Sequence, residues 1–345
     1  MTGPTTPADG PSTNGPSAAG VADPVVLAVD SGGSGLRVAV GTVARGMVGQ
    51  RASREPVRTG SRGIDAGHLL DQLLPLTRAL LAEAGLPAPA AAAVGAAGLA
   101  TLGDALRAEL PGALRRELGV RRVALAADAV TAYTGALGAR PGAVIAAGTG
   151  LIAVGTDLTA WRRADGWGHL LGDCGSGAWI GRAGLEAALR AHDGRPGGSA
   201  ALLACAEKVF GPATGLPGAL YPRPDRPAVL ASFAPQVAAC AADGDPVAAG
   251  VLREAARHIA DSAAAVCPPG GEPYVALTGG LFRTGEPLLV PLEEELAARL
   301  PYARRVPAEG DPLHGAVLIA RALAAGTLTL PADGTMLQVV DAPGT

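Results

Sequence analysis

Apolar residues along the chain form two closely similar strand–turn–strand patterns. Val25–Val29 and Leu36–Val43 are short apolar runs rich in β-branched residues, separated by six residues of which three are glycines and three are small and polar. This connection is too short for a helical crossover, so the pattern predicts a β-hairpin. Gly142–Gly155 repeats the pattern, with Gly148-Thr149-Gly150 at its turn. The repetition predicts a protein built from two duplicated halves.

Further strands and helices alternate around these hairpins. The predicted strands are Met47–Ser53, Ala90–Leu99, Arg122–Ala127 and Tyr274–Leu277. The predicted helices are Asp65–Ala84, Leu102–Leu118 (interrupted at Pro111), Ala129–Leu137, Gly175–Ala191, Ala200–Phe210, Phe233–Ala242, Asp245–Val266, Glu286–Leu300 (broken at Pro291) and Asp311–Ala325. This order predicts an α/β protein.

The same pattern suggests a domain organisation. We predict a disordered tail over 1–23, an N-terminal domain over 24–141, a C-terminal domain over 142–330 and a loose tail over 331–345. The last helix is a candidate to return to the N-terminal domain.

Composition narrows the class of protein. Hydrophobic residues make up 48% of the 345 positions and charged residues 17%, and the net charge of −3 argues against nucleic acid as a partner. Apolar runs are too short for a membrane helix, and the first residues lack the basic start and apolar core of a signal peptide. The four cysteines show no C-x-x-C spacing, so neither a zinc site nor a disulfide framework is indicated. We therefore predict a cytoplasmic protein.

One residue count excludes two classes of phosphate-transferring enzyme. Lys208 is the single lysine, and it follows no glycine-rich loop. P-loop proteins and protein kinases both need a lysine on the phosphates, so neither class fits. A dinucleotide-binding fold is also excluded, because the turn after Val29 leads into a strand. The hairpin tip could instead hold phosphate on backbone N–H groups while Asp30 faces a metal ion; an ordinary tight turn is the alternative.

Two further segments contain candidate binding or catalytic residues. Asp165–Gly181 contains six glycines, two tryptophans and two aspartates, which suits a carbohydrate with its apolar faces and hydroxyl groups. A structural loop with packed tryptophans is the alternative. Asp173 is the stronger ligand candidate there, while Asp165 is a candidate turn residue. Asp128 ends a strand just before a helix, a catalytic position in α/β folds, although an N-cap has the same sequence pattern.

Together these segments resemble the N-acetylglucosamine kinases of the BadF/BadG/BcrA/BcrD-type ATPase family, within the actin/hexokinase/Hsp70-like superfamily. The resemblance runs from Val25 to Ala325 and is most specific over Gly166–Gly181. Asp30–Ser34 resembles the first phosphate loop of the family, Gly148–Gly150 the second, and Thr278–Leu281 the adenosine loop. The resemblance implies a duplicated actin-like ATPase (ribonuclease H-like) fold, with two domains around a nucleotide cleft.

The resemblance also implies an activity and its residues. The activity would be transfer of phosphate from ATP, with Mg²⁺, to the 6-hydroxyl of N-acetylglucosamine. Asp128 would be the general base and Asp30 the metal ligand, acting through water. The implied sugar-binding residues are Asp128, Gly166, Trp167 and Asp173, and the implied ATP-binding residues are Gly32, Gly33, Ser34, Gly148, Thr149, Gly150, Gly279, Gly280 and Thr284.

Alternatives remain open at this point. The substrate could be another amino sugar, such as N-acetylmuramic acid or glucosamine, or the protein could be an ATPase that activates a partner protein. A homodimer is also left open. The chain departs from the family where Cys174 replaces a glutamate, where Leu151-Ile152 replaces a polar pair, and where Ser53–Gly60 lacks an asparagine. Arg54 or Arg58 in that last segment could meet an acidic sugar substituent.

Overall fold

Two mixed β-sheets and the helices around them make up the computed structural model, which describes residues 23–32, 35–60 and 63–341. The strands are β1 (Val25–Gly32), β2 (Gly35–Thr42), β3 (Gly46–Ser53), β4 (Thr59–Gly60), β5 (Gly63–Ile64), β6 (Ala91–Ala96), β7 (Arg122–Ala127), β8 (Gly142–Ala147), β9 (Leu151–Thr156), β10 (Trp161–Asp165), β11 (Tyr274–Thr278), β12 (Arg304–Arg305) and β13 (Leu337–Asp341).

Helices connect and cover these strands. They are α1 (Ala66–Ala84), α2 (Leu99–Leu102), α3 (Asp104–Leu118), α4 (Asp128–Leu137), α5 (Gly177–His192), α6 (Ala200–Phe210), α7 (Leu216–Leu220), α8 (Arg226–Ala231), α9 (Ala234–Ala242), α10 (Pro246–Val266), α11 (Glu286–Arg299) and α12 (Pro312–Ala325). Two short 3-10 helices lie at Ala213–Gly215 and Gly280–Thr284. No helix within the described ranges is both long and apolar enough to cross a membrane.

The two predicted hairpins are confirmed, and each lies in its own sheet. The first sheet has six strands in the order β13-β7-β6-β1-β2-β3, and the second has five in the order β10-β9-β8-β11-β12. β1 and β2 pair antiparallel from Val25↔Thr42 to Gly32↔Gly35, and β8 and β9 pair antiparallel from Gly142↔Thr156 to Ala147↔Leu151. β6 runs parallel to β1 as β11 runs parallel to β8, so both halves share one plan.

Side-chain caps start several of the helices where the sequence predicts a start. Asp65, Ser176, Asp245 and Asp311 each accept a hydrogen bond from the backbone N–H three residues later. The breaks predicted at Pro111 and Pro291 are wrong, because α3 and α11 continue through these prolines. Fully buried leucines on both sides of each proline offset the lost backbone hydrogen bond; they are Leu110, Leu114, Leu288 and Leu292.

The predicted loose tail over 331–345 is also wrong in part. Strand β13 pairs antiparallel with β7, from Leu337↔Ala126 to Asp341↔Arg122, and so closes one edge of the first sheet. Leu337 is fully buried, because this pairing covers apolar surface that a free tail would expose. Residues 342–345 lie outside the described residues, as does the predicted tail over 1–23 apart from Asp23, which accepts a hydrogen bond from the Ala44 N–H.

Helices α4 and α12 form a layer between the two sheets. Their apolar residues share one buried cluster with Val26 and Ala93 of the first sheet and with Val144 and Ala276 of the second. The last helix therefore packs against the N-terminal sheet, although the chain reaches it only after the second sheet. The domain boundary between residues 141 and 142 stays a prediction.

The approach of α4 to α12 is close because glycines lie where the helices meet. A Cβ at Gly315 would stand 2.0 Å from the Thr131 carbonyl oxygen, and one at Gly135 would stand 2.1 Å from the Asp311 carbonyl oxygen. Neither backbone atom can move aside as a flexible side chain would. Gly315 and Gly135 therefore set the distance between the two helices.

We expect Gly315→Ala to destabilise the protein by about 1–3 kcal/mol, the usual cost of overpacking a close contact. Gly250→Ala in α10 is the matched control, since the nearest atom to its Cβ is 3.8 Å away. The control should be stabilising by about 0.4–1 kcal/mol. Urea unfolding of both variants measures the difference, and equal midpoints would contradict the role given to Gly315.

Candidate functional site

A cavity of about 600 Å³ opens between the two halves of the chain. Strand ends, turns and helix starts from both sheets meet there. The lining residues are Gly98, Ala100, Thr101, Ala127, Asp128, Ala129 and Pro312 against the first sheet, Ala146, Ala147, Gly148, Gly150, Leu151, Ile152, Arg163, Gly166, Gly168, Asp173 and Gly279 against the second, and Met336 from the C-terminal segment. Few polar side chains lie among them, so the backbone supplies much of the hydrogen-bonding surface.

The cavity brings together several residues that the sequence places far apart. Of the predicted site residues, those that line it are Asp128, Gly148, Gly150, Gly166, Asp173 and Gly279. Those that lie outside this lining are Asp30, Gly32, Thr149, Trp167, Gly280 and Thr284. Gly33 and Ser34 lie outside the described residues, so their predicted ATP contacts stay predictions.

Asp128 is the first residue of α4 and directly follows β7. The capping position of this helix is Ala127, whereas the Asp128 carboxylate accepts a hydrogen bond from the Ala129 N–H at 2.9 Å. Burial raises the pKa of the Asp128 carboxyl above its ordinary value, and the negative charge of Asp30 adds to this rise. The Ala129 N–H and the Arg163 charge oppose the rise. A carboxylate with a raised pKa in a cavity is suited to accept a proton.

Asp30 belongs to an ion-pair network beside the cavity. Its Oδ2 accepts hydrogen bonds from Arg37 Nε at 3.0 Å and Nη2 at 2.6 Å, while Arg37 Nη1 donates to Asp311 Oδ2 at 2.5 Å. Burial raises the pKa of Asp30 despite the opposing hydrogen bond from Arg37. The network joins the first hairpin to the start of α12.

The residues present fit a Mg²⁺ ion that takes most of its ligands from water and substrate and few from the protein. Within the described ranges, no three His, Cys, Asp or Glu side chains converge as a metal site. Asp30 has one oxygen engaged by Arg37, which leaves Oδ1 as a hard oxygen donor. Mg²⁺ commonly binds one or two carboxylates and takes its other ligands from water and substrate phosphates. Asp30 is therefore suited to a single, water-bridged contact.

The Gly148-Thr149-Gly150 turn is fixed by the start of α5. The Gly148 carbonyl accepts a hydrogen bond from the Gly177 N–H at 2.9 Å, and the Thr149 carbonyl accepts one from the Ala178 N–H at 3.0 Å. Thr149 itself is exposed. The adenosine-loop candidate lies nearby, since a Cβ at Gly279 would stand 2.2 Å from the Ala147 carbonyl oxygen. Gly279 also has φ +105°, so both the lack of space for a Cβ and the backbone conformation require glycine there.

The loop Asp165–Asp173 is shaped by hydrogen bonds to carboxylates. Asp165 accepts from the Asp173 N–H at 2.6 Å and from the Cys174 N–H at 2.8 Å, and Asp173 accepts from the Gly168 N–H at 3.0 Å. Both aspartates have positive φ, +60° and +53°, an uncommon conformation for residues other than glycine. Asp165 is thus more than the turn residue that the sequence suggests, because it fixes the backbone that carries Asp173.

Asp173 is directed at the glycine turn of the second hairpin. The residue is 9% exposed, and a Cβ at Gly150 would stand 2.5 Å from Asp173 Oδ2. Burial raises the pKa of Asp173, and the negative charge of Asp165 acts in the same direction. A side chain at Gly150 would displace this carboxylate, so the glycine keeps the carboxylate and the turn together.

Trp167 does not form the cavity wall that the sequence suggests. The residue is 63% exposed, and the guanidinium of Arg163 lies over its ring at 4.7 Å from the centroid. Arg163 lines the cavity in its place and was missed by the sequence analysis. The signal was present, because Arg163 and Asp165 occupy alternate positions of β10 and so share one side of the strand.

Two duplicated halves around a cavity, each contributing a glycine-containing turn, define the two-domain actin-like ATPase fold, as predicted. The chain belongs to the BadF/BadG/BcrA/BcrD ATPase family, whose family model matches residues 27–320. No curated protein is significantly similar in sequence.

Solved structures with the same fold include sugar kinases. One is a candidate N-acetylglucosamine kinase from Chromobacterium violaceum, with 30% identity over 86% of this chain and 98% of that chain and a TM-score of 0.67. Another is a ROK-family glucokinase from Streptomyces griseus in complex with glucose and AMPPNP, with 20% identity over 88% and 100% of the two chains and a TM-score of 0.52. At that lower identity the likeness shows the fold alone.

We expect Asp165→Asn to loosen the loop 166–176. The amide nitrogen would face one of the two N–H donors, so at least one hydrogen bond to a charged acceptor is lost, worth about 1.5–3 kcal/mol. Hydrogen–deuterium exchange of the Asp173 and Cys174 amides should accelerate about 10- to 100-fold. Asp157→Asn is the control, because Asp157 accepts from the Thr159 and Ala160 N–H groups in an exposed turn. Equal exchange at the Asp173 and Cys174 amides in the two variants would contradict the role of Asp165.

Proposed function

We propose that the protein is an ATP-dependent kinase that phosphorylates the 6-hydroxyl of N-acetylglucosamine, with Asp128 as the general base. The observation that carries the proposal is the meeting of Asp128, Asp173 and the turn Gly148–Gly150 in one cavity. A base, a hydroxyl-binding carboxylate and a phosphate-binding turn are the parts that sugar phosphorylation needs. Membership of the ATPase family supports ATP as the phosphate donor.

Phosphoryl transfer asks the protein mainly for alignment and charge stabilisation. Asp173 would accept hydrogen bonds from ring hydroxyls, which fixes the sugar. Asp128 would accept the proton of the attacking hydroxyl, and backbone N–H groups of the turns at Gly148–Gly150 and Gly279–Gly280 would face the phosphates. Mg²⁺, when bound, would neutralise phosphate charge, with Asp30 as its protein carboxylate. Gly32, Gly33, Ser34 and Thr284 remain proposed ATP contacts.

The lining of the cavity favours a neutral amino sugar over an acidic one. Asp128 and Asp173 are both in it and Asp30 is close by, whereas Arg163 is the single cation of the described lining, so a carboxylate on the sugar would meet more negative than positive charge. Leu151 and Ile152 form an apolar part of the wall that suits an acetyl methyl group. Arg54 and Arg58 are exposed and lie outside the lining, which disfavours them as partners of an acidic substituent. The N-acetylglucosamine kinase candidate at 30% identity supports the same choice.

A panel of sugars tests the proposal directly. We expect ATP consumption with N-acetylglucosamine to exceed that with glucosamine, N-acetylmuramic acid and glucose in kcat/KM. Equal rates with glucose would mean that the acetamido group is not recognised, and a preference for N-acetylmuramic acid would replace the proposed substrate. ATP hydrolysis that no sugar stimulates would point to the partner-activating ATPase instead. The cytoplasmic location and a homodimer stay predictions.

Asp128→Asn should lower kcat about 10²–10⁴-fold, the usual contribution of a general base, while the Kd for ATP is nearly unchanged. The wild type should lose activity as the pH falls through the raised pKa of Asp128, because the base must be deprotonated. That loss therefore begins at a higher pH than an ordinary aspartate would give, with Asp173 contributing to the same limb. Kinetics across pH 4–8, roughly the range over which a raised carboxyl pKa is visible, provide the measurement.

Asp104→Asn is the matched control, because Asp104 is also the first residue of a helix but lies exposed on α3. It should retain the wild-type rate and pH profile. An Asp128→Asn variant that unfolds more easily yet keeps its rate would assign Asp128 a structural role only.

A further inference from the structure

Arg163 is the basic side chain among the described residues that line the cavity. It belongs to β10, next to the loop that carries Asp173. Its neighbour Arg162 lies on the opposite side of the strand and is exposed. The two arginines therefore share a charge and a place in the chain, and they differ in which side of the strand they occupy.

Hydrogen bonds hold one edge of the Arg163 guanidinium. Nε donates to the Asp165 carbonyl at 3.1 Å, and Nη2 donates to the Gly166 carbonyl at 2.6 Å. The plane of the group lies over the Trp167 ring at 4.7 Å from the centroid. No described residue accepts a hydrogen bond from Nη1. The group is thus fixed along one edge and one face, and both N–H groups of Nη1 are left for another partner.

The surroundings of this cation indicate an oxygen-rich partner. Asp128 and Asp173 share the cavity but accept no hydrogen bond from Arg163 within the described residues. A half-buried guanidinium with N–H groups free beside a cavity favours oxygen acceptors, and one already held along its other edge binds them at little entropic cost. The loop that Arg163 holds also carries Asp173. A molecule whose hydroxyl groups bind Asp173 therefore has oxygen atoms close to Arg163.

We infer that Arg163 is a sugar-binding residue, whose Nη1 donates hydrogen bonds to an oxygen of the bound sugar while its other edge fixes Asp165–Trp167. This inference rests on the proposed sugar kinase function and adds a contact to it. The positive charge of Arg163 also lowers the pKa of Asp128 and so favours the ionised base. Asp30 is the charged group that acts on Asp128 in the opposite direction.

The test compares Arg163→Gln, Arg163→Lys and Arg162→Gln. Sugar affinity is measured by calorimetry without nucleotide, and KM is measured for sugar and ATP separately. We expect Arg163→Gln to weaken sugar binding roughly 10-fold or more, the loss of one charge-assisted hydrogen bond, with KM for ATP within about twofold of wild type. Arg162→Gln should match the wild type in every measurement.

Arg163→Lys tests the positive charge separately from the planar set of N–H donors. An ammonium keeps the charge near Asp128 but cannot bond both carbonyls and the sugar in the same plane. The acid limb of kcat/KM should therefore stay at the wild-type pH in Arg163→Lys and move to higher pH in Arg163→Gln, while both variants lose sugar affinity. The acid limb reports the charge of Arg163 near Asp128 and does so whether or not Arg163 contacts the sugar. Hydrogen–deuterium exchange of the Asp173 amide separates the two roles: a sugar contact predicts lost affinity with exchange near the wild-type rate, whereas accelerated exchange like that of Asp165→Asn would assign the loss to the loop and overturn the contact.

Three further outcomes would overturn the inference. If sugar affinity in Arg163→Gln equals that in Arg162→Gln, Arg163 does not contact the sugar. If only the KM for ATP rises in Arg163→Gln, Arg163 contacts the phosphates of ATP instead. Both leave the proposed function intact, because the wild type is still a sugar kinase. If the wild type phosphorylates no sugar in the panel, the proposed function fails and this inference fails with it.

Discussion

The close packing of α4 on α12 is the contact on which the arrangement of the cavity depends. Gly135 and Gly315 let the two helix backbones approach, and this pair of helices forms the layer between the sheets. α4 begins at Asp128, while α12 begins beside Asp311, which reaches Arg37 and through it Asp30. A wider spacing of the two helices would separate Asp128 from the first hairpin. The position of the catalytic candidates is therefore a consequence of backbone contact between helices.

On the other side of the cavity, a strained loop depends on carboxylate hydrogen bonds for its shape. Asp165 and Asp173 adopt left-handed backbone conformations that cost about 1–3 kcal/mol each. The bonds from the Asp173, Cys174 and Gly168 N–H groups offset that cost. The result is a nearly buried carboxylate beside the Gly148–Gly150 turn. Conformational strain and hydrogen bonding together place Asp173 where a flexible glycine-rich loop alone would not hold it.

Electrostatics links these two sides. Asp128, Asp30 and Asp173 all have carboxyl pKa values raised by burial, so the cavity resists further negative charge. Arg163 and Arg37 each supply a positive charge close to one of these groups. A neutral sugar and a metal-neutralised phosphate suit this balance better than two anions would. The same balance makes the ionisation of Asp128 sensitive to residues on both sheets.

Local sequence determined most of the secondary structure and the placement of Asp128 at the junction of a strand and a helix. β-branched runs with short glycine turns specify the hairpins at β1–β2 and β8–β9, and a strand end followed by a helix marks Asp128, because these features depend on neighbours along the chain. Tertiary structure decided the rest. Leu337–Asp341 becomes a strand only where β7 offers an edge, and the helices continue through Pro111 and Pro291 because buried leucines hold them. Arg163, to which the sequence analysis gave no role, lines the cavity where Trp167 was expected, and the exposed indole packs beneath its guanidinium. Contacts between residues distant in sequence control these features, so no periodicity or motif within one segment could specify them.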